Sequence, residues 1–235
     1  MPKTEVRSYF FEAKTHKKRE LVCYVVGFTA HVNQFKYSIG RLQKQGYDVL
    51  AFEYDVSVLT LGDPMRLLDV LAYITEETDH RAKEYERVIC MGVSLGAFIA
   101  FNIQRRLPDA SVGIYATAGV AVSEAIFTMK AFEQVKDAFI RNGWNAQKLG
   151  KIWKNIEIKE NDELLKDKSL VIVNGKIDRI VSHRAATKQV LRWRREGTRV
   201  RLYKKNLLGH TGTILWYIFN TDKMLKRALN HHNTH

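Results

Sequence analysis

Short apolar runs alternate with longer amphipathic ones along most of the chain. Leu21-Val22-Cys23-Tyr24-Val25-Val26 is unbroken apolar sequence ending at Gly27, the pattern of a strand covered on both faces. Phe35, Ile39 and Leu42 then fall on one helical face, and Gly46 closes that helix. Val49–Phe52, Val88–Met91, Val112–Tyr115 and Leu170–Val173 repeat the strand pattern, and Val200 and Leu202 alternate with arginines in a last strand. Between them, Leu67, Leu71 and Ile74, then the run Leu95–Arg106, then Ala186, Val190 and Trp193 mark helices. Ile214, Ile218, Leu225 and Leu229 mark a closing one, and Tyr9-Phe10-Phe11 suggests a further strand at the start. Strand and helix in alternation predict an α/β fold, a mostly parallel central sheet with helices on both faces. Residues 118–168 break the rhythm with about fifty residues of helical pattern. This stretch is too long for a simple crossover and is expected to form a small helical cap inserted in a single domain spanning 1–235.

The composition fits that picture. Hydrophobic residues are 46% and charged residues 27% of 235, a globular profile. Cys23 and Cys90 both lie in apolar runs and read as buried thiols, which excludes a disulfide-stapled scaffold and a four-cysteine zinc site. The first residues lack the apolar segment of a signal peptide, and no run is long enough to span a bilayer, so the expected location is the cytoplasm. The formal charge of +13 points to anionic partners, either an acidic carrier or a lipid surface. Basic residues are densest from Arg192 to Lys205. No helix-turn-helix, zinc-finger or RNA-binding signature supports nucleic acid as the partner. His231, His232 and His235 close the chain and read as a frayed polar tail.

The sharpest local signal is Gly92-Val93-Ser94-Leu95-Gly96. The spacing G-x-S-x-G is common by chance, but this copy leaves an apolar strand and opens a helix. That is the setting of a nucleophile elbow, in which a serine is held on a tight strained turn. Glycines two residues either side of the serine let strand and helix approach closely. A serine hydroxyl needs a base, and the base needs an orienting acid. Asp178 stands just past the strand ending near Gly175, and His210 stands just past the strand that contains Leu202. Parallel strands present their carboxyl ends on one edge, so the three residues can meet there. The expected roles are Ser94 as nucleophile, His210 as general base and then acid, and Asp178 as the group that orients the imidazole. Alternatives stand beside each. Asp178 could pair with Arg179 or cap the helix near Ser182, Asp162 and Asp167 are competing acids, and His183 is a competing base. His31, after another strand, could line the same edge. The two oxyanion donors are expected to be the backbone N–H groups of Leu95 and, from the loop Gly27-Phe28-Thr29-Ala30, of Phe28.

Together, Gly92-Val93-Ser94-Leu95-Gly96, Gly175-Lys176-Ile177-Asp178, Gly209-His210 and the chain order Ser, Asp, His resemble the α/β-hydrolase superfamily. The resemblance spans residues 20–230, with 118–168 in the place of the variable cap. It implies a serine hydrolase working through an acyl-enzyme, with no cofactor and no metal. Val26-Gly27 stands where the family often has His-Gly, and no Arg-Gly-His-Gly-type turn follows the next strand, which reads Tyr54-Asp55-Val56-Ser57-Val58. Serine at position 94 in place of aspartate sets the chain apart from the dehalogenase and epoxide-hydrolase branches. The expected substrate is a small-molecule carboxylic ester, with an acyl thioesterase or acyltransferase as the alternative. From another class, a non-catalytic basic module binding nucleic acid or an anionic membrane is also carried. In the cap, Ile126, Phe127, Met129, Phe132, Phe139, Trp144 and Trp153 offer an apolar side that could line an acyl site or simply pack the cap onto the sheet.

Overall fold

The computed structural model describes residues 5–119, 121–157 and 163–233. Seven strands form one sheet in the order β1-β3-β2-β4-β5-β6-β7. They are β1 (Val6–Phe11), β2 (Glu20–Val25), β3 (Asp48–Tyr54), β4 (Arg87–Val93), β5 (Ala110–Ala116), β6 (Ser169–Gly175) and β7 (Arg199–Lys205). Every neighbouring pair is parallel except β1 with β3. The edge strand β1 turns Arg7, Ser8 and Tyr9 to solvent, which blunts a free edge against further pairing.

The helices are α1 (Lys36–Lys44), α2 (Ser57–Thr60), α3 (Met65–Ala82), α4 (Leu95–Arg106), α5 (Val122–Thr128), α6 (Glu133–Arg141), α7 (Ala146–Ile152), α8 (His183–Arg195) and α9 (His210–Asn233). Leu21, Cys23 and Val25 of β2 join a core with α3 and α4, and Val22, Tyr24 and Val26 join a second core with α1 and α9. Burial on both faces is why β2 carries no polar alternation. The sequence pattern placed each of the seven strands and the helices α1, α3, α4, α8 and α9. It gave no sign of α2, whose four residues make little more than one turn, too short for a periodic pattern.

Between β5 and β6 the expected helical stretch contains α5, α6 and α7, with short 3-10 turns at Lys130–Phe132 and Glu163–Leu165. Its aromatics mostly pack. Phe139 and Trp153 are fully buried and meet edge to face at 5.9 Å. The Trp153 indole N–H donates to Pro64 O at 2.9 Å, and Asn142 Nδ2 donates to Leu61 O at 2.8 Å. Both bonds tie the segment to the turn between α2 and α3. No described helix is long and apolar enough to cross a membrane. The C-terminal end differs from expectation at His232. This residue belongs to α9, its ring lies 3.3 Å from Ser169 Oγ, and its carbonyl accepts from Arg199, so the chain stays helical to Asn233. His235 and Asp162 lie outside the described residues.

Candidate active site

β4 ends at Val93 and α4 starts at Leu95, leaving one residue, Ser94, to reverse the chain. Ser94 has φ 54° and ψ −127°, a conformation that costs a residue with a Cβ on the order of 1–3 kcal/mol. The surroundings enforce it. A Cβ on Gly92 would collide with the backbone of Gly96, and one on Gly96 would collide with the carbonyls of Val25 and Val26. Strand β2, strand β4 and helix α4 thus touch backbone to backbone, and the serine is held out of the carboxyl edge. The Ser94 N–H donates to Ala116 O at 2.9 Å and to Thr117 Oγ1 at 3.1 Å. Thr117 itself has φ 51°, and its hydroxyl donates to Ala116 O at 2.7 Å. The elbow therefore leans on the end of β5, a contact that no sequence motif announces.

Asp178 and His210 arrive on two loops that grip each other. Lys176 N–H donates to Lys205 O at 2.9 Å, and Ile177 N–H donates to Leu208 O at 3.4 Å. Gly175 permits this approach, because a Cβ there would strike Leu208 O and the Thr213 hydroxyl. The Asp178 side chain is wholly shielded from solvent. Its Oδ1 accepts from the N–H groups of Ile180 at 2.8 Å and Val181 at 2.9 Å, which offsets the loss of water. Its Oδ2 lies 2.9 Å from His210 Nδ1. A carboxylate only accepts, so Nδ1 carries the proton and Nε2 is left as acceptor. Ser94 Oγ lies 3.1 Å from Nε2 and can donate to it. Hydroxyl, imidazole and carboxylate are joined in a line, with the geometry a general base needs to take a proton from a serine.

The competing candidates stand elsewhere. The Ser182 hydroxyl caps α8, accepting from Ala185 N–H, and His183 is the first residue of that helix. Asp167 lies in the turn before β6. His31 sits beyond β2, 3.7 Å from Glu53, and is bonded to neither Ser94 nor Asp178. Among the described residues no cluster of His, Cys, Asp or Glu is arranged to hold a metal ion.

Leu95, the residue after Ser94, opens α4, so its N–H has no acceptor within the helix. The other expected donor, Phe28, follows Gly27, whose added Cβ would lie 3.4 Å from Ser94 Cβ. This loop turns through Thr29 at φ 64° and is closed by Ala30 N–H donating to Gly27 O at 3.1 Å. Glu53 secures its far end. Oε2 accepts from Val32 N–H at 2.8 Å and Oε1 from the Tyr9 hydroxyl at 2.9 Å. Burial pushes the Glu53 carboxyl up, but these two donors, His31 and Arg7 outweigh it and hold the group below the usual carboxylate range. No motif marks Glu53, which sits inside an apolar strand.

Ser94 opens into a small cleft of about 50 Å³, partly open to solvent. Leu59, Phe98, Val122, Ala125, Phe132 and Val181 make its wall apolar, and Thr117 is a polar exception beside Ser94. Of the seven cap residues that could line an acyl site or pack the cap onto the sheet, Phe132 lines the cleft. Ile126, Phe139 and Trp153 are buried in the core, and Phe127 and Trp144 pack against it.

No protein-family model and no curated relative matches the sequence. Solved structures do. The esterase Est2 of Thermogutta terrifontis with propionate bound superposes at a TM-score of 0.63 and 12% identity, over 95% of this chain and 89% of that one. The Pyrococcus furiosus esterase Pf2001 gives 0.61 and 18%, over 96% and 92%. The uncomplexed Pyrococcus horikoshii acylaminoacyl peptidase gives 0.70 and 13%, over 97% of this chain and 42% of the longer one. Strand order, crossovers and these superpositions agree with what the motifs implied: the chain has the α/β-hydrolase fold.

Proposed function

We propose that the protein is a serine hydrolase that cleaves carboxylic esters through an acyl-enzyme. The reading rests on one observation above all, the unbroken line from Ser94 Oγ to His210 at 3.1 Å and from His210 to Asp178 at 2.9 Å. Ser94 Oγ attacks the ester carbonyl while its proton passes to His210 Nε2. The carbonyl oxygen becomes an oxyanion, held by the N–H groups of Leu95 and Phe28. The tetrahedral adduct collapses, the bond to the alcohol oxygen breaks, and His210 gives that oxygen the proton. Water then attacks the acyl-serine, again losing its proton to His210. The second adduct collapses with cleavage of the acyl–Oγ bond, and His210 returns the proton to Ser94 Oγ as the carboxylic acid leaves. Asp178 keeps the Nδ1 proton in place throughout and stabilises the imidazolium.

The apolar cleft receives the acyl group. Its volume of about 50 Å³ lies well below that of drug-sized ligand pockets, which run from about 300 to 1,000 Å³, so short acyl groups fit best. In this reading α5 and the turn that carries Phe132 act as the cap of the single domain. A thioester would use the same relay and the same acyl site, and differs only in its leaving group. The test is hydrolysis of p-nitrophenyl acetate, butyrate and palmitate beside acetyl and butyryl thioesters. Turnover of the short oxygen esters, lost in Ser94→Ala, is expected. Preference for thioesters would turn the reading to a thioesterase, and inertness of the folded protein toward all five would contradict it.

A further inference from the structure

Around the mouth of the relay, charge and apolar exposure coincide. From residue 176 to 209 the chain carries eleven Lys and Arg against two acids, Asp178 and Glu196. Neither acid offsets the field at this edge. Asp178 is buried in the relay, and Glu196 is at the far end of α8, 3.4 Å from Arg192. Within the same stretch three aliphatic side chains face solvent, Leu191 on α8 and, on the loops at the carboxyl edge, Leu207 and Ile177. Leu207 is 87% exposed and Ile177 60% exposed. Their loops are the pair that grip each other at the carboxyl edge, bonded from Lys176 to Lys205 and from Ile177 to Leu208. Ile177 immediately precedes Asp178, and Leu207 lies three residues before His210. Lys176, Arg179 and Lys204 flank them, all exposed.

Loop tips this apolar are costly in water, and a ring of cations around them is what an anionic interface would neutralise. We propose that this rim docks on an anionic lipid surface, with Leu207 and Ile177 entering the interface and Lys176, Arg179 and Lys204 pairing with headgroup phosphates. The docking does not depend on the chemistry of Ser94. Its use does rest on the esterase reading: it sets the cleft against a layer in which amphipathic esters concentrate. An acidic protein or a nucleic acid would satisfy the cations and leave both aliphatic tips in water, which is why the lipid surface is favoured.

The test is flotation with vesicles of phosphatidylcholine alone and of phosphatidylcholine with phosphatidylglycerol, at low and high salt. The Ser94→Ala protein serves as well as wild type, so failure of the esterase reading leaves this result intact. Binding to the anionic vesicles, weakened by salt, is expected. The variants Leu207→Ser and Lys204→Glu should each bind about fivefold more weakly. Both should keep wild-type hydrolysis of p-nitrophenyl acetate in free solution, which also shows that they fold. Absence of vesicle binding, equal binding to neutral vesicles, or full binding by Leu207→Ser would overturn the proposal. So would capture on polyglutamate or RNA as strong as on anionic vesicles and unchanged by Leu207→Ser.

Discussion

The elbow that holds Ser94 and the paired loops that hold Asp178 and His210 are built on opposite principles. At the elbow, backbone meets backbone: Gly96 lies against the carbonyls of Val25 and Val26, and the serine is bent to φ 54° by what surrounds it. In the loops, position comes from hydrogen bonds. Two N–H groups aim Asp178, and two strand-end contacts hold its loop to the one before His210. Close packing cannot be relaxed one atom at a time, whereas a hydrogen-bonded loop can be altered singly and still close. In the proposed relay Ser94 is therefore the stiff partner, and Asp178 and His210 are its adjustable side.

The largest effect that separates the two should come from Ser94→Ala. Ester turnover is expected to fall by about 10⁴-fold or more in steady-state assays, with the fold kept. Asp178→Asn comes next, at about 10³ to 10⁴ in kcat, because the amide favours the wrong imidazole tautomer. Urea unfolding of the two variants sharpens the contrast, since Asp178→Asn also weakens the acceptor for Ile180 and Val181 and should lower stability, while Ser94→Ala should not. Gly96→Ala attacks the stiff side directly. Its new methyl meets backbone, so a loss of about 3 kcal/mol is expected in the same unfolding experiment.

These contrasts also mark what could be read in the sequence. The elbow was legible because its requirement is local: two glycines at fixed spacing between an apolar strand and a helix. Asp178 and His210 were legible by position, each a polar residue just beyond a strand in a parallel sheet. Glu53 was not. It takes its bonds from Val32 and Tyr9, residues 21 and 44 positions away, and lies in a strand whose neighbours are apolar. Thr117 was missed for a different reason, since it acts through a backbone angle and a hydroxyl that any threonine has. The cap's aromatics left two readings open, because hydrophobicity does not distinguish Phe132, which faces the cleft, from Trp153, which anchors α7.

Two smaller effects follow. Glu53→Gln should lower kcat about tenfold and leave KM nearly unchanged, if the loop it braces presents an oxyanion donor. Asp48 and Glu53 also set the acid limit. Burial opposes the Asp48 charge, but Lys17, the Tyr85 hydroxyl and Ala13 N–H outweigh it, so Asp48, like Glu53, is held below the ordinary carboxylate range. Their stabilisation is complete above the unfolded value near pH 4 and is lost as pH falls through the lower folded values. Thermal unfolding should therefore move to lower temperature below about pH 4, and less so in Glu53→Gln. The smallest change is a gain. Ser94→Gly removes a Cβ from a strained angle and should raise stability by about 1 kcal/mol while abolishing turnover, which calorimetry beside an ester assay would register.

The central claim is that Ser94 is an activated nucleophile. Treatment of the folded protein with a fluorophosphonate, followed by peptide mass spectrometry, tests it most directly. One adduct on the peptide containing Ser94, absent from Ser94→Ala and formed far more slowly in His210→Ala, is the expected result. A folded protein that stays unmodified, or one still modified after the serine is removed, would contradict it.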